Sequence, residues 1–466
     1  MSFYKFWTQS AFLAVCWLVL LMSCVFGQST NLNGWNETRD NNAPESGHKK
    51  PLVISILPNY YDQTDGIPLA EIIKHAFENN GEIKIARLEV DKARARLVQA
   101  GLRSNPTLEV EKTSGRLTGS AGEGELSVGV SVPIDIYNQR RQRIDVAQAE
   151  ITLREAEIAV RERELASQVF VNYAEALASL REVQILEQLL ELDLQTVSFV
   201  QIRVNEGDTA PLELQLLQTE VERLRSRRQL SEGKLQAALS RLKFYAGVPY
   251  EQPLKLREEI TSANFKQLPK TLETSISVAL RTRPEIRVAE FEEELASAGL
   301  RLVRAQSRPE VSASTRYTQS RSVFDETPVG AISDRDRTLT FGIAIGIPIF
   351  NKNQGAKAEA EIAIRQAQER RSFSEQVIKN EVVVAFQRME AASRALITLE
   401  RDVLPRSRQN IETIRQVYEI GELKITDLIA EQRRLLDANR DLTETLTERY
   451  RAQSDLFIAL GIELEN

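Results

Sequence analysis

The chain has 466 residues, of which 27% are charged and 6% aromatic, and carries a formal net charge of −6. That balance, with no basic stripe interleaved with aromatics, argues against nucleic acid as a main partner. Long stretches built from Ala, Glu, Leu, Arg and Gln have the composition of extended helices rather than of a compact mixed fold.

The chain begins with a secretion signal over residues 1–27. Lys5 is followed by the short apolar run AFLAVCWLVLLMSCVFG (Ala11–Gly27), which ends in small residues. The run is short for a membrane span, which disfavours a retained anchor. Two exits compete. Val25-Phe26-Gly27 ahead of Gln28 suits cleavage after Gly27. Leu21-Met22-Ser23-Cys24 is similar to a lipobox and would make Cys24 a lipidation site, although Met22 is unusual there. Cys16 and Cys24, the only cysteines, both lie in this segment, so the mature chain has no disulfide or thiol chemistry available. Residues 28–66 are polar and rich in turn formers, and read as extended or disordered.

The rest of the chain is written twice. Glu71–Pro106 aligns with Thr274–Pro309: Ala76 meets Ala279, Glu82-Ile83 meets Glu285-Ile286, Ala93 meets Ala296, and Pro106 meets Pro309. Further on, Gly129 meets Gly342, Tyr137-Asn138 meets Phe350-Asn351, Gly207 meets Gly421, and Gly247 meets Gly461. The offset grows between the two strand-like runs of the second copy, where a surface loop tolerates insertion. Residues 67–247 and 270–462 are the two repeats. A linker over 248–269, carrying Pro249, Pro253 and Pro269, joins them. Each repeat reads helix, strand pair, very long helix, break at glycine, long helix.

In the first repeat the strand-like runs are Thr107–Leu117 and Glu125–Ile134. Leu126, Val128, Val130, Val132 and Ile134 alternate with Ser127, Gly129 and Ser131. From Asn138 to Glu206 there is neither Gly nor Pro, a run that would be about 100 Å long as a helix at ~1.5 Å per residue. Its apolar positions, among them Ile144, Ala147, Ile151, Leu165, Val169, Leu177, Leu180 and Leu190, recur at coiled-coil spacings. Gly207 ends it in a left-handed residue from which the chain reverses. Thr209 is then the expected cap of the next helix, with Pro211 in its first turn.

In the second repeat the runs are Glu310–Ser320 and Thr338–Ile349. Leu339, Phe341, Ile343, Ile345, Ile347 and Ile349 alternate with Thr340, Gly342, Ala344 and Gly346. The long helix spans about Lys357 to Ile420, where Pro405 removes one backbone hydrogen bond and is expected to bend it. Gly421 ends it, and Thr426 or Asp427 is the weaker analogue of the cap.

Runs of about ten residues with one apolar face and one small, polar face have the length of tilted transmembrane strands. The faces suit lipid and water: Ser127, Gly129, Ser131, Thr340, Gly342, Ala344 and Gly346 would line a lumen. A soluble sandwich with its apolar face packed on the helices is the alternative. Four strands cannot close a barrel, and open edges are not tolerated in lipid. Eight strands from two chains would need bulky side chains to fill the interior. Twelve strands from three chains leave a water-filled bore that fits these small residues better.

With its duplicated halves, the Tyr418-x-x-Gly421 tip, Asp427 six residues on, and Pro106 and Pro309 ahead of the strands, the chain resembles the TolC family of outer-membrane efflux proteins. Within that family it is most similar to the CzcC/CusC-type partners of heavy-metal resistance-nodulation-division pumps. The resemblance covers roughly Ile67 to Ile462. It implies a mainly α chain with membrane β, assembled as a homotrimer whose α-helical barrel is continuous with a 12-stranded β-barrel. It further implies an outer-membrane location with a long periplasmic extension, and docking through the tips on a periplasmic membrane-fusion adaptor and an inner-membrane pump. Asp427 matches the first of the acidic positions that ring the periplasmic entrance in the family. The next, three residues on, is Ala430 here, which puts a double ring in doubt. Asp427 also suits an ordinary first-turn acid. Gly207 and Gly421 fall on the adaptor-docking tips, and both also suit plain helix termination.

No constellation for catalysis, zinc or phosphate binding appears, no cofactor is expected, and the chain does not read as an enzyme. The only histidines are His48 and His75; of the three methionines, Met1 and Met22 lie in the signal. Metal ions, if carried, pass as solutes through water. The reading is therefore a passive exit duct of a tripartite efflux system for heavy-metal cations or small toxic solutes. A type I protein-secretion duct and a periplasmic coiled-coil scaffold are the alternatives.

Overall fold

A computed structural model describes residues 54–117, 119, 122–261, 268–324 and 332–462. The signal segment with Cys24 lies outside the described residues, as does part of the linker. Two repeats follow one another. The first runs α1 (Leu69–Asn79), α2 (Gly81–Ala100), β1 (Thr107–Ser114), β2 (Gly124–Ile134), α3 (Gln139–Glu206) and α4 (Pro211–Ala246). The second runs α5 (Leu272–Thr282), α6 (Pro284–Gln306), β3 (Glu310–Phe324), β4 (Ile332–Gly346), α7 (Gln354–Thr398), a π turn (Leu399–Val403), α8 (Leu404–Glu419) and α9 (Ile425–Leu460).

The 68 residues of α3 form one unbroken helix because nothing in the run removes a donor or demands a special backbone angle. At ~1.5 Å per residue it is about 100 Å long. Ala147, Ile151, Leu165, Val169, Leu177, Leu180 and Leu190 are buried along it, against α2, α4, α6 and α9 in turn. The largest core cluster surrounds Phe170, Tyr173 and Leu177, where α1, α3, α4 and α9 meet. A second cluster lies at the far tip, around Val200, Leu217, Tyr418, Ile425 and Leu428.

Several expectations change. Residues 54–66, read as extended or disordered, form a short 3-10 turn (Leu57–Asn59) and pack on the core. Ser55 Oγ donates to Glu187 Oε2 (2.6 Å), and Tyr60 Oη to Glu232 Oε1 (3.1 Å). Their apolar members Ile56, Leu57, Tyr60 and Tyr61 outweigh the polar composition. The N-cap of α4 is Ala210, without a side-chain bond, so Thr209 is not its cap; Pro211 occupies the first turn as expected. The N-cap of α9 is Lys424, not Thr426 or Asp427. Pro405 is accommodated by the π turn just before it, which shifts the hydrogen-bond ladder where its missing N–H would fall. The residue of the second repeat with Asn138's left-handed backbone (φ 55°) is Asn353 (φ 56°), not the aligned Asn351. The strands differ at their hairpin ends: β1 stops at Ser114, while β3 and β4 extend to Phe324 and back to Ile332. The helix-proximal end of β4 is Gly346 rather than Ile349.

The four strands form one antiparallel sheet in the order β1-β2-β3-β4, so β1 and β4 both present open edges.

Candidate functional site: the strand bore and the helical tips

The sheet register builds two unlike faces. Glu109, Gly129, Arg316 and Thr340 stand side by side across it, as do Glu111, Ser127, Thr318 and Thr338, and Thr107, Ser131, Ser314 and Gly342. These rows contain every lumen-type position expected from the sequence except Ala344 and Gly346, which follow on the same face of β4. Ser127 is buried, and Arg316 Nη1 donates to its Oγ (3.4 Å). Arg316 Nη2 donates to Glu109 Oε2 (2.7 Å) and Nη1 to Glu111 Oε2 (3.4 Å). A Cβ at Gly342 would come within 2.9 Å of Ser314 Oγ, so the small residues also let neighbouring strands keep this tight face.

The other face is apolar. Ile134, Val311 and Ile345 form one row, then Val132, Ala313 and Ile343, then Leu108, Val130, Thr315 and Phe341, then Val110, Val128, Tyr317 and Leu339. At ~3.3 Å per residue these rows span about 20 Å along the strands, close to the ~25 Å apolar band of outer-membrane barrels. Phe341 and Ile343 are 77% and 74% exposed, more than a packed soluble sheet would leave bare.

Arg316, Glu109 and Glu111 were missed by the sequence reading, which looked for small residues. The signal was present: the acids follow the same period of two.

The helical tips lie at the other end of α3. Gly207 (φ 83°) and Gly421 (φ 86°) both hold the left-handed conformation that reverses the chain, which favours glycine. The structure brings the two turns together: Arg203, four residues before Gly207, donates from Nη1 to the Tyr418 carbonyl (3.4 Å). Tyr418 Oη donates to Glu213 Oε2 (3.2 Å), tying α8 to α4. Burial, with Glu213 beside it, pushes the Tyr418 hydroxyl up to about 12, so it stays a donor at any ordinary pH.

Asp427 is exposed in the first turn of α9, and its Oδ2 accepts the Lys424 backbone N–H (3.2 Å). That contact satisfies an orphan donor and places negative charge at the positive end of the helix dipole. Asp427 and the strand acids are not brought together; the length of α3 separates them.

Deeper in the helices, Asp193 of α3 is buried and accepts from Gln432 Nε2 of α9 (2.6 Å). Burial pushes its carboxyl up to about 7, and nearby Glu220, which pairs with Arg433, pushes the same way. Among the described residues no group of three or more His, Cys, Asp or Glu is placed to hold a metal ion. No described helix is long and apolar enough to cross a membrane.

An open-edged sheet with one lipid-type and one water-type face, set at the end of helices about 100 Å long, defines a subunit of a membrane channel. The chain belongs to the outer membrane efflux protein family: the family model matches residues 72–248 and 275–462, one match in each repeat. It is 26% identical over 404 residues to the cation efflux system protein CusC of Escherichia coli O157:H7, covering 84% of this chain and 85% of that protein. It is 21% identical over 415 residues to the cobalt-zinc-cadmium resistance protein CzcC of Cupriavidus metallidurans, covering 87% and 93%. A crystal structure of CusC superposes with a TM-score of 0.69 at 23% identity, over 84% of this chain and 92% of that one. The chain is thus an outer-membrane efflux channel of CusC/CzcC type, not an enzyme.

Proposed function

We propose that three copies close their sheets into one 12-stranded barrel, and that the tube passively conducts heavy-metal cations from periplasm to exterior. The observation that carries this reading is the inward face of the sheet. It bears Glu109, Glu111, Glu125, Asp334 and Asp336 against one cation, Arg316, which is already paired. A low-dielectric wall around such a bore concentrates cations and repels anions. Three open-edged sheets joined β4 to β1 leave no peptide group bare in lipid. CusC and CzcC, whose names denote cation efflux and cobalt-zinc-cadmium resistance, support metal cations as cargo.

The tips meet the partners. Gly207 and Gly421 lie on the surface that a periplasmic membrane-fusion adaptor reaches, with an inner-membrane resistance-nodulation-division pump behind it. Three Asp427 carboxylates ring the entrance, and the Ala430 positions add no second ring. No energy source resides in the chain, so opening is a population shift biased by partner binding. The mature N-terminus is either Cys24, carrying lipid, or Gln28; its mass distinguishes the two.

The test is reversal potential in planar bilayers across a salt gradient. The wild type is expected to prefer cations, and a variant with Glu109, Glu111, Asp334 and Asp336 changed to their amides to lose most of that preference. Anion preference in the wild type would defeat the reading. In cells, deleting the gene is expected to raise sensitivity to metal salts; loss of a secreted protein with unchanged metal tolerance would favour a protein-secretion duct.

A further inference from the structure

Charge is sorted between the two faces of the sheet, and the outward share has no use in conduction. All six acids of the strands, the five above and Glu310, stand on the inward face. Of the five cations only Arg316 joins them. The alternation is plainest in Asp334-Arg335-Asp336-Arg337, where the acids share the face of Thr338 and Thr340 and the arginines that of Leu339 and Phe341.

The outward cations are Lys112, Arg321, Arg335 and Arg337. All four are exposed, and none has an ion pair with another described residue. They stand immediately beyond the last apolar row. Lys112 and Arg337 lie in one row with Leu126 and Gln319, and Arg321 and Arg335 are directly opposite each other in the next. Both rows are at the hairpin end of the sheet, away from the helices, and so at the outer leaflet. Tyr317, one row closer to the membrane centre, has the place of an interfacial aromatic. The opposite margin of the band, Ile134, Val311 and Ile345, is apolar.

Like charges directly opposite on adjacent strands repel, and among the described residues no acid pairs with them. Long cations at a membrane margin extend toward water in any case, but that requires neither two arginines opposed nor the removal of every acid from the face. Guanidinium groups match phosphate with paired hydrogen bonds, and one phosphate dianion between Arg321 and Arg335 would neutralise both. We propose that Lys112, Arg321, Arg335 and Arg337 form a binding site for the phosphate groups of outer-leaflet lipid. The proposal rests on the closed-barrel reading, under which Lys112 of one copy approaches the β4 cations of the next and the clusters join into a belt.

The test is native mass spectrometry of the full-length assembly in detergent, mixed with diphosphorylated lipid A or with its dephosphorylated counterpart. The wild type is expected to retain the phosphorylated lipid at least about tenfold better, each interfacial cation contributing severalfold. The variant with Lys112→Ser, Arg321→Ser, Arg335→Ser and Arg337→Ser is expected to lose that preference, while Asp334→Ser with Asp336→Ser on the other face keeps it. Equal retention of the two lipids by the wild type overturns the proposal, and that comparison decides alone if the fourfold variant does not assemble. Bilayer conductance of the same wild-type preparation separates this failure from failure of the channel reading, since a conducting assembly indifferent to phosphate rejects only the lipid site.

Discussion

The two repeats solve one problem with different residues. Their short helices α1 and α5 each have 11 residues, and their return helices α4 and α9 each have 36. Both return helices end at a glycine held left-handed, Gly247 (φ 70°) and Gly461 (φ 63°). Where α1 turns into α2, Asn80 donates from Nδ2 to the carbonyl of Tyr245 near the end of α4 (2.9 Å). At the matching place in the second repeat, buried Arg283 donates from Nη1 to the carbonyl of Ala459 near the end of α9 (3.2 Å). Arg283 also pairs with Glu381 (2.7 Å) and Glu285 (3.0 Å), and Arg163 of the first repeat reaches the same Glu285. A neutral cap thus holds one repeat closed where a charged hub holds the other, and the hub, unlike the cap, also reaches a residue of the other repeat. Duplication conserves the backbone requirement while the side chain that meets it changes.

The largest effect that would break the parallel is at the hub. Arg283→Ala leaves two carboxylates without their buried partner and is expected to cost about 3 kcal/mol or more, read as a lower thermal midpoint in detergent. A loss no greater than that of Asn80→Ala would show that the charge carries nothing extra.

Next comes Asp193, which has no acidic counterpart at the matching position of the second long helix, Ser407. Its folded-state carboxyl, near 7, lies above the ordinary carboxylate value. The folded chain therefore holds a proton that the unfolded chain has released, and the stabilisation, full below about pH 4, is lost as pH rises through 7. Asp193→Asn is expected to gain about 2 kcal/mol at pH 8 and nothing at pH 4. A pH-independent gain would contradict the assignment.

Asn80→Ala removes the cap of α2, whose Oδ1 accepts from the Glu82 N–H (2.8 Å), and is expected to cost about 1–2 kcal/mol. The smallest effect is at the π turn. Pro405→Ala restores a donor and is expected to slow hydrogen exchange of the Leu399–Val403 amides while changing global stability by less than about 1 kcal/mol. Unchanged exchange would mean that something other than Pro405 sets the turn.

Much of this architecture was legible because it rests on prohibitions. The absence of Gly and Pro bounds α3 to within a residue, and the glycines at 207, 247, 421 and 461 mark turns that need a left-handed backbone. Period-two alternation located all four strands, and duplication located the repeats. What was hidden depends on contacts between distant segments. Asn353 could not be told from Asn351 because asparagine tolerates the left-handed region without requiring it. Pro405 announced a disturbance but not that a π turn would absorb it. The acids of the polar sheet face could have been found by applying the strand period to charge as well as to size, whereas Asp193 and Arg283 acquire their environments only when helices far apart in sequence pack together. Whether Asp427 screens an entrance depends on copies of the chain meeting at the tip, which no single-chain pattern encodes.

The central claim is that several copies join their open sheet edges into one water-filled ring. It is tested most directly by native mass spectrometry of the detergent-extracted protein, combined with cysteine cross-linking between the β1 and β4 edges. The expected result is a mass of three copies, with β1–β4 cross-links forming only between different chains. A single copy that stays soluble after the detergent is removed, with no such cross-links, would contradict it.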